Sequence, residues 1–546
     1  MSEYRSRDWA HWHVSELAAR VVAESGTPTD RYHLGKLVLR SLQDDPNFTM
    51  QIDGATGGSI TNGEIMRLSM ACATSYRNVG VGLGDVVAIM SPSNLHLSVP
   101  FYAGLFTGVV TAPVDSTLGV PEIVNTFNII QPKMIFCTGQ SAPNIQLALN
   151  EMESNATIVT FDKSDYLCSL EEFIEKHGDT DEEFKVTDFD ATDASVLLIS
   201  TSGTTGLPKA AETTHKNFAI SIAYQWSQHQ KFPSPVRMTL IGAPLQWLTS
   251  IFQYISTPIF RVTRLESSVP VTVDLACDLI NKYKPAYTIL SPTLMTTLVK
   301  TRKDCDLTCF KQMLLGGSAV SNDLFFRIQE VTPHTLLCNG FGMTELCGLG
   351  LQSIMTDRGN FLTALGCFQY RIVNPETHEE ILEPNIPGEL WLKGPTIFKG
   401  YYRNEAATRA TFSEDGWFMT GDMFMRDEHW YYTFLERIKL LLKYKSYQIS
   451  PVEVENVIRK HPGVMDVAVT GIRDEECGDL PVACVVPRPG FDTTIAAEIK
   501  DVVKESLSDA KQLRGGVVFL DAIPVTATTK VHRRKLKELV QVLDKY

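Results

Sequence analysis

The chain has no uninterrupted apolar run approaching the ~20 residues that span a bilayer, and no internal repeat or low-complexity tract. Its eleven cysteines form no CxxC pair and no Cys/His ligand spacing. That excludes a disulfide framework or a zinc site and points to reduced thiols. Excess positive charge is missing too. A net charge of −13 argues against non-specific binding to nucleic acid or anionic membrane. The opening "MSEYRSRDWAHWHVSELAAR" lacks the apolar core of a signal peptide, and the final "QVLDKY" is not the Ser-Lys-Leu peroxisomal address. A cytoplasmic location is the expectation left standing. What is present is an ordinary globular balance, 44% hydrophobic and 21% charged. At 546 residues the chain exceeds one compact core, so two or more domains are expected.

Short β-branched runs alternate with helical patterns through most of the length. "DVVAIMSPS" (85–93), "MIFCT" (134–138), "TIVTF" (157–161), "SVLLIS" (195–200), "YTILSP" (287–292) and "KQMLLGG" (311–317) read as buried strands. "GEIMRLSMACATSYRNV" (63–79) and "TVDLACDLINKY" (272–283) read as amphipathic helices between them. This alternation predicts an α/β fold on largely parallel sheets. From about 365 to 435, "GELWLKGPTIFKGYY" and "HWYYTFLERIKLLL" suggest short strands with Gly and Pro turns. A last segment reads helix 451–460, strands 464–470 and 482–487, helix 496–506, strand 517–520 and helix 532–541. No Ser/Gly tether precedes this α+β module, so the boundary near residue 436 is expected to act as a hinge. The expected domains are 1–435 and 436–546.

"TSGTTGLPK" (201–209) follows a buried strand and is rich in hydroxyls and glycine. It is not the GxxxxGK[ST] phosphate loop, since Gly203 and Gly206 are three apart and Pro208 intervenes before Lys209. Proline lacks an N–H and biases its predecessor away from the helical region, which predicts a helix start near Thr213–Thr214. Hydroxyls and backbone N–H groups of such a loop can wrap a polyphosphate, with Lys209 adding charge.

In full, this stretch closely resembles the phosphate loop of the adenylate-forming superfamily, which includes acyl-CoA synthetases, aryl-CoA ligases, insect luciferases and peptide-synthetase adenylation domains. Further motifs follow in family order: "GGSAV" (316–320), "NGFGMTE" (339–345), "GWFMTGDMF" (416–424), "LERIKLLLKYKSYQISPVEVENVI" (435–458) and "IPVTATTKVHRRKLKEL" (523–539). The similarity runs from about residue 50 to 540. It is strongest to luciferase-like and coumarate-ligase-like acyl-CoA synthetases.

The resemblance implies a large N-terminal domain of two α/β subdomains plus a β-rich subdomain, carrying a small mobile C-terminal domain. It implies ATP, Mg²⁺ and coenzyme A as cofactors and a small carboxylic acid as substrate. Thr201, Ser202, Gly203, Thr204, Thr205, Gly206 and Lys209 would hold phosphate. Gly316, Gly317, Ser318, Asn339, Gly340, Phe341 and Gly342 would pack around adenine. Thr344 and Glu345 would contact phosphate and metal, Asp422 and Arg437 the ribose. Glu436 stands at the hinge position. Lys530 would serve the transfer to the carboxylate, and Lys443 would serve the later thiol step.

Departures from the family pattern concern the acid and the thiol. Gln246 and Trp247 replace a paired histidine of luciferases, and Ser221 replaces an arginine they place beside luciferin. Light emission is disfavoured on this reading. Trp247, Phe252, Cys347 and Gly348 are candidates for the acyl pocket. Ser446 and Thr529 stand where the family has glycine, near the thiol channel and before the catalytic lysine. The expected activity is therefore carboxylate–CoA ligation of a fatty or aromatic acid. An enzyme that stops at the acyl-adenylate and a non-catalytic nucleotide or acyl binder are the alternatives.

Overall fold

A computed structural model describes residues 9–163, 167–179, 183–201, 209–225, 237–301, 304–317, 320, 322–353, 361–444, 447–474, 477–507, 509–525 and 531–546. The chain divides into two compact units, residues 1–369 with 393–418, and residues 370–392 with 419–546.

The first unit holds two large sheets. In one, strands Ser195–Thr201, Val110–Pro113, Val86–Met90, Met134–Cys137, Thr157–Thr160 and Cys168–Ser169 run parallel in that order. Their residues are almost wholly buried, as both faces of a parallel sheet must be. The other sheet has a parallel centre of Thr49–Asp53, Thr263–Glu266, Met238–Ile241, Tyr287–Leu290, Gln312–Gly316 and Leu336–Met343, closed by antiparallel strands at both edges. Helices between strands start where the sequence caps them. Thr61 accepts from Glu64 N–H while Glu64 accepts from Thr61 N–H at 2.8 Å, a reciprocal cap that opens the helix Asn62–Asn78.

The helix start falls within two residues of the expected Thr213–Thr214, but the residues before it are not a loop: Lys209–Thr214 is a strand, paired antiparallel with Ser195–Thr201. The helix begins at His215. Thr213 and Thr214 are β-branched and buried, opposite Leu197 and Ser195, while Ala211 and Glu212 lie opposite Ile199 and Leu198. On its other edge this strand pairs with Gly400–Tyr401 (Tyr401 opposite Ala211).

The second unit carries a four-stranded sheet ordered Gln369–Val373, Gly388–Lys393, Phe418–Arg426, Tyr432–Arg437. It also carries a five-stranded sheet with helices Pro451–Ile458, Ala496–Ser506 and Arg533–Val542. The hairpin Val464–Asp474/Gly478–Pro487 is longer than the expected 464–470 and 482–487. Its polar end continues the ladder with Arg473 opposite Asp479, where an apolar-run criterion stops.

Candidate active site

In the first unit, strand register brings two of the motifs side by side. Gly316 pairs with Gly340 and Leu315 with Asn339, so the ends of "LLGG" and "CNGF" lie on adjacent strands. Gly317 has φ +89°, a left-handed backbone that favours glycine. Gly342 is held by proximity: a Cβ there would stand 2.5 Å from the Gly348 carbonyl oxygen across the Leu336–Met343/Gly348–Gln352 hairpin. Phe341 is half-buried on the same strand. Ser318 lies outside the described residues.

Thr344–Leu346 forms a 3-10 turn, and Cys347 ends it in the left-handed region at φ +52°. The turn places Glu345 at 8% exposure, with Thr344 half-buried beside it. The Phe398 N–H donates to the Glu345 carbonyl at 2.8 Å, and the Tyr401 hydroxyl donates to Glu345 Oε1 at 2.8 Å. Lys209 Nζ stands 4.6 Å from the centroid of the same Tyr401 ring. Thr201 donates through Oγ1 to the Lys209 carbonyl at 3.3 Å, closing the strand pair at its open end. The structure thus joins Lys209 to Glu345 through a residue the sequence did not single out. Ser202, Gly203, Thr204, Thr205 and Gly206 lie outside the described residues.

Of the residues expected to line the acyl pocket, Ser221 donates through Oγ to the Cys347 carbonyl at 2.7 Å and is itself buried. Ser221 therefore fixes the backbone just after the Glu345 turn. Burial, and then the Glu345 carboxylate, hold the Cys347 thiol well above its ordinary pKa, so this thiol is no nucleophile at neutral pH. Gly348 follows it, buried, at φ +151°. Gln246 and Trp247 are half-buried at the start of the helix Leu248–Phe260, and the Trp247 carbonyl accepts from Ser250 and Ile251 N–H. That helix packs on the helix bearing Ser221 and on Gly348–Gln352. Phe252, on the same helix, is 3% exposed and belongs to the core.

In the second unit, Asp422 and Arg437 face each other across antiparallel strands. Arg437 Nε lies 3.1 Å from Asp422 Oδ1, with the arginine side chain 40% exposed and the aspartate 1%. Glu436 is buried and accepts the Arg437 N–H at 2.9 Å. Burial raises its carboxyl pKa, opposed by Arg533 and reinforced by Glu455. Arg533 Nη1 donates to Glu455 Oε1 at 3.0 Å, tying the helix Arg533–Val542 to Pro451–Ile458. Arg533 is a second residue the sequence reading did not assign to the site; its partners lie too far along the chain for any local pattern to reveal. Lys443 is on the strand Leu442–Tyr444. Ser446, Thr529 and Lys530 lie outside the described residues.

Among the described residues no three His, Cys, Asp or Glu side chains cluster as a metal cage. A single buried carboxylate suits Mg²⁺, which keeps several waters and shares its remaining positions with substrate phosphates. Also among the described residues, no helix is long and apolar enough to cross a membrane. All eleven cysteines are free thiols.

Fold and site together define a class, the adenylate-forming enzymes. A profile described as AMP-binding enzyme matches residues 39–402 and one described as AMP-binding enzyme C-terminal domain matches residues 453–530, and the chain belongs to this family. It is 31% identical over 498 residues to a luciferin 4-monooxygenase of Photuris pensylvanica, covering 88% of this chain and 89% of the relative. It is 29% identical to 4-coumarate–CoA ligase-like 9 of Arabidopsis thaliana, over 90% of this chain and 87% of the relative. In fold it matches ATP-bound MatB from Rhodopseudomonas palustris with a TM-score of 0.83 at 24% identity, covering 92% of this chain and 99% of that one.

Proposed function

We propose that the chain is an ATP-dependent carboxylate–CoA ligase acting on a fatty or aromatic acid. The observation that carries this reading is the joining of Lys209, at the end of the phosphate-loop motif, to the buried acid Glu345. A carboxylate and ATP are both anionic, so their encounter needs a lysine for phosphate and an acid for a bridging cation. Lys209 and Glu345 are those groups. Mg²⁺ held by Glu345 and the phosphates would neutralise the charge between the reactants.

In the first half-reaction a carboxylate oxygen attacks the α-phosphorus of ATP, and the bond to pyrophosphate breaks. Lys530 cancels the charge that builds there. The paired Asp422 and Arg437 hold the ribose, and Gly316, Gly317, Gly340 and Phe341 hold the adenine. In the second, the sulfur of coenzyme A attacks the acyl carbonyl and AMP leaves, with Lys443 on the thiol side. The module from Glu436 onward is the mobile domain, hinged there. Gln246, Trp247 and Ser221 shape the acyl pocket, and the relatives with ligase names make a CoA acceptor the leading choice. The free thiols fit a reducing compartment, and a cytoplasmic site is part of this reading.

Pyrophosphate release from ATP across a panel of carboxylic acids, with and without CoA, tests the proposal. Release with thioester formed is the expected result. Acyl-AMP without thioester would overturn ligation, and would point to Ser446 and Thr529 as the cause. No release with any acid would overturn both half-reactions. Lys530→Ala is expected to abolish acyl-AMP formation while leaving thioester formation from supplied acyl-AMP nearly intact. Equal loss in both steps would contradict the division of labour between Lys530 and Lys443.

A further inference from the structure

Tyr401 sits on a two-residue strand, Gly400–Tyr401, in a segment whose sequence suggests short strands with Gly and Pro turns. Its ring is packed edge-on against Phe398 at 5.0 Å between centroids, and Phe398 in turn packs against Phe412 and Phe418. Phe398 and Phe418 are buried, so the ring has a fixed wall on one side. Its backbone is fixed as well, by pairing with Ala211 and by a 2.9 Å bond from its N–H to Thr408 Oγ1. This mounting holds two polar features in register. The hydroxyl donates to Glu345 Oε1 at 2.8 Å, and the ring lies 4.6 Å from Lys209 Nζ.

The two contacts act together. A hydrogen bond to one oxygen of a carboxylate fixes the plane of the group, which decides where its other oxygen can meet a cation. An ammonium near an aromatic ring is attracted to its electron density and draws on it. That makes the phenol a better donor to Glu345. One rigid side chain therefore sets the spacing between the cation at the phosphate-loop end and the acid on the metal side.

We propose that Tyr401 is a positioning residue for the metal–nucleotide substrate: its hydroxyl orients Glu345 toward a divalent cation carried by ATP, and its ring positions the Lys209 ammonium for phosphate. This rests on the reading of Glu345 as the acid on the metal side of ATP.

The test is binding, measured apart from turnover. Mn²⁺ affinity in the presence of ATP is read by electron paramagnetic resonance, and metal-free ATP affinity by calorimetry, on the full chain. Tyr401→Phe keeps the ring and removes the hydroxyl. It is expected to weaken Mn²⁺ about tenfold and to leave metal-free ATP binding unchanged. Tyr401→Leu removes both features and is expected to weaken metal-free ATP binding about two- to fivefold as well. Glu345→Gln is expected to weaken Mn²⁺, and adding Tyr401→Phe to it is expected to cost nothing more. If Glu345→Gln binds Mn²⁺ as the wild type does, the reading of Glu345 fails and the role of Tyr401 with it. If Glu345→Gln weakens Mn²⁺ while Tyr401→Phe does not, or if the two losses multiply in the double variant, Glu345 keeps its role and Tyr401 loses its own. Thermal melting of each variant identifies loss from misfolding: a loss that the double variant shares, with melting unchanged, supports the proposal.

Discussion

Asp422 is 1% exposed with Arg437 Nε 3.1 Å from one oxygen, while the arginine itself is 40% open to solvent. Removing the carboxylate leaves a guanidinium that water can still reach, so the structural cost is small. On the proposed reading, in which Asp422 holds the ribose, the cost to nucleotide binding is not. Each charge-assisted hydrogen bond is worth about 1.5–3 kcal/mol, and loss of one raises KM for ATP by roughly ten- to a hundredfold. Asp422→Ala is therefore expected to raise KM for ATP at least about tenfold, with melting nearly unchanged. Pyrophosphate release against ATP concentration measures it, and an unaltered KM would remove Asp422 from the nucleotide site. Glu345, Asp422 and Arg437 were legible in the sequence because each lies inside a contiguous motif. Tyr401 was not: its carboxylate partner is 56 positions away, and they meet through the pairing of Gly400–Tyr401 with Lys209–Thr214 and the Phe398 N–H bond to the Glu345 carbonyl. Arg533 was missed for the same reason, with Glu455 lying 78 positions away.

The helix Leu34–Asp44 shows how an element's cap can set a pH limit. His33 is the N-cap, fully buried, its Nδ1 accepting from Lys36 N–H at 3.3 Å and its Nε2 facing the Thr187 carbonyl at 3.1 Å. Both contacts need the neutral ring with its proton on Nε2. Burial lowers the His33 pKa to about 4. His215, 5.4 Å away between ring centroids, is fully buried, and burial holds its pKa well below the ordinary histidine value too. A histidine whose folded pKa lies below its unfolded value of about 6.5 stabilises fully above that value. It loses the contribution as pH falls toward 4, because the unfolded chain takes up the proton first. For His33 alone the loss at pH 5 is about 2 kcal/mol. His33→Asn keeps a capping side chain without the titration. The urea midpoint of the first unit is expected to fall less between pH 7.5 and pH 5 in this variant than in the wild type, and equal slopes would clear His33. At this scale the sequence showed helices and buried strands well, since period and apolar runs encode them. It did not show Lys209–Thr214 as a strand, because Ala210 and Ala211 have little β preference and the strand depends on its neighbours.

At the scale of the molecule, alternating strands and helices made parallel sheets readable, but not what joins the two sheets of the first unit. That junction is a buried polar network. Arg264, wholly buried on Thr263–Glu266, lies 3.0 Å from Glu266 Oε1 and donates to Gln51 Oε1 at 2.9 Å. It also donates to the Tyr102 hydroxyl at 3.0 Å and to Ser98 Oγ. Ser98 and Tyr102 belong to the helix Ser98–Thr107, which packs on Val86–Met90 and Val110–Pro113 of the other sheet. Tyr254 stacks its ring 4.0 Å from the Arg264 guanidinium and donates to Glu266 Oε2 at 2.7 Å. Composition averages could not show an arginine committed to the core, since arginine is almost never fully buried without partners. Burial pushes the Glu266 pKa up and Arg264 pulls it down, so the carboxylate depends on its guanidinium. Arg264→Met takes the guanidinium away from that buried carboxyl, which keeps the Tyr254 hydroxyl, and from Gln51, Tyr102 and Ser98, at a cost of about 3–5 kcal/mol. Arg264→Met with Glu266→Leu removes both ends of the charge pair and is expected to lose less than Arg264→Met alone. Urea unfolding followed by tryptophan fluorescence compares four chains: wild type, Arg264→Met, Glu266→Leu and the double variant. Equal stability of Arg264→Met and wild type would show that the network is a filler. A double variant weaker by the sum of its parts would show that Arg264 and Glu266 act separately, whereas recovery on removing the second charge follows if the junction is held by their pairing.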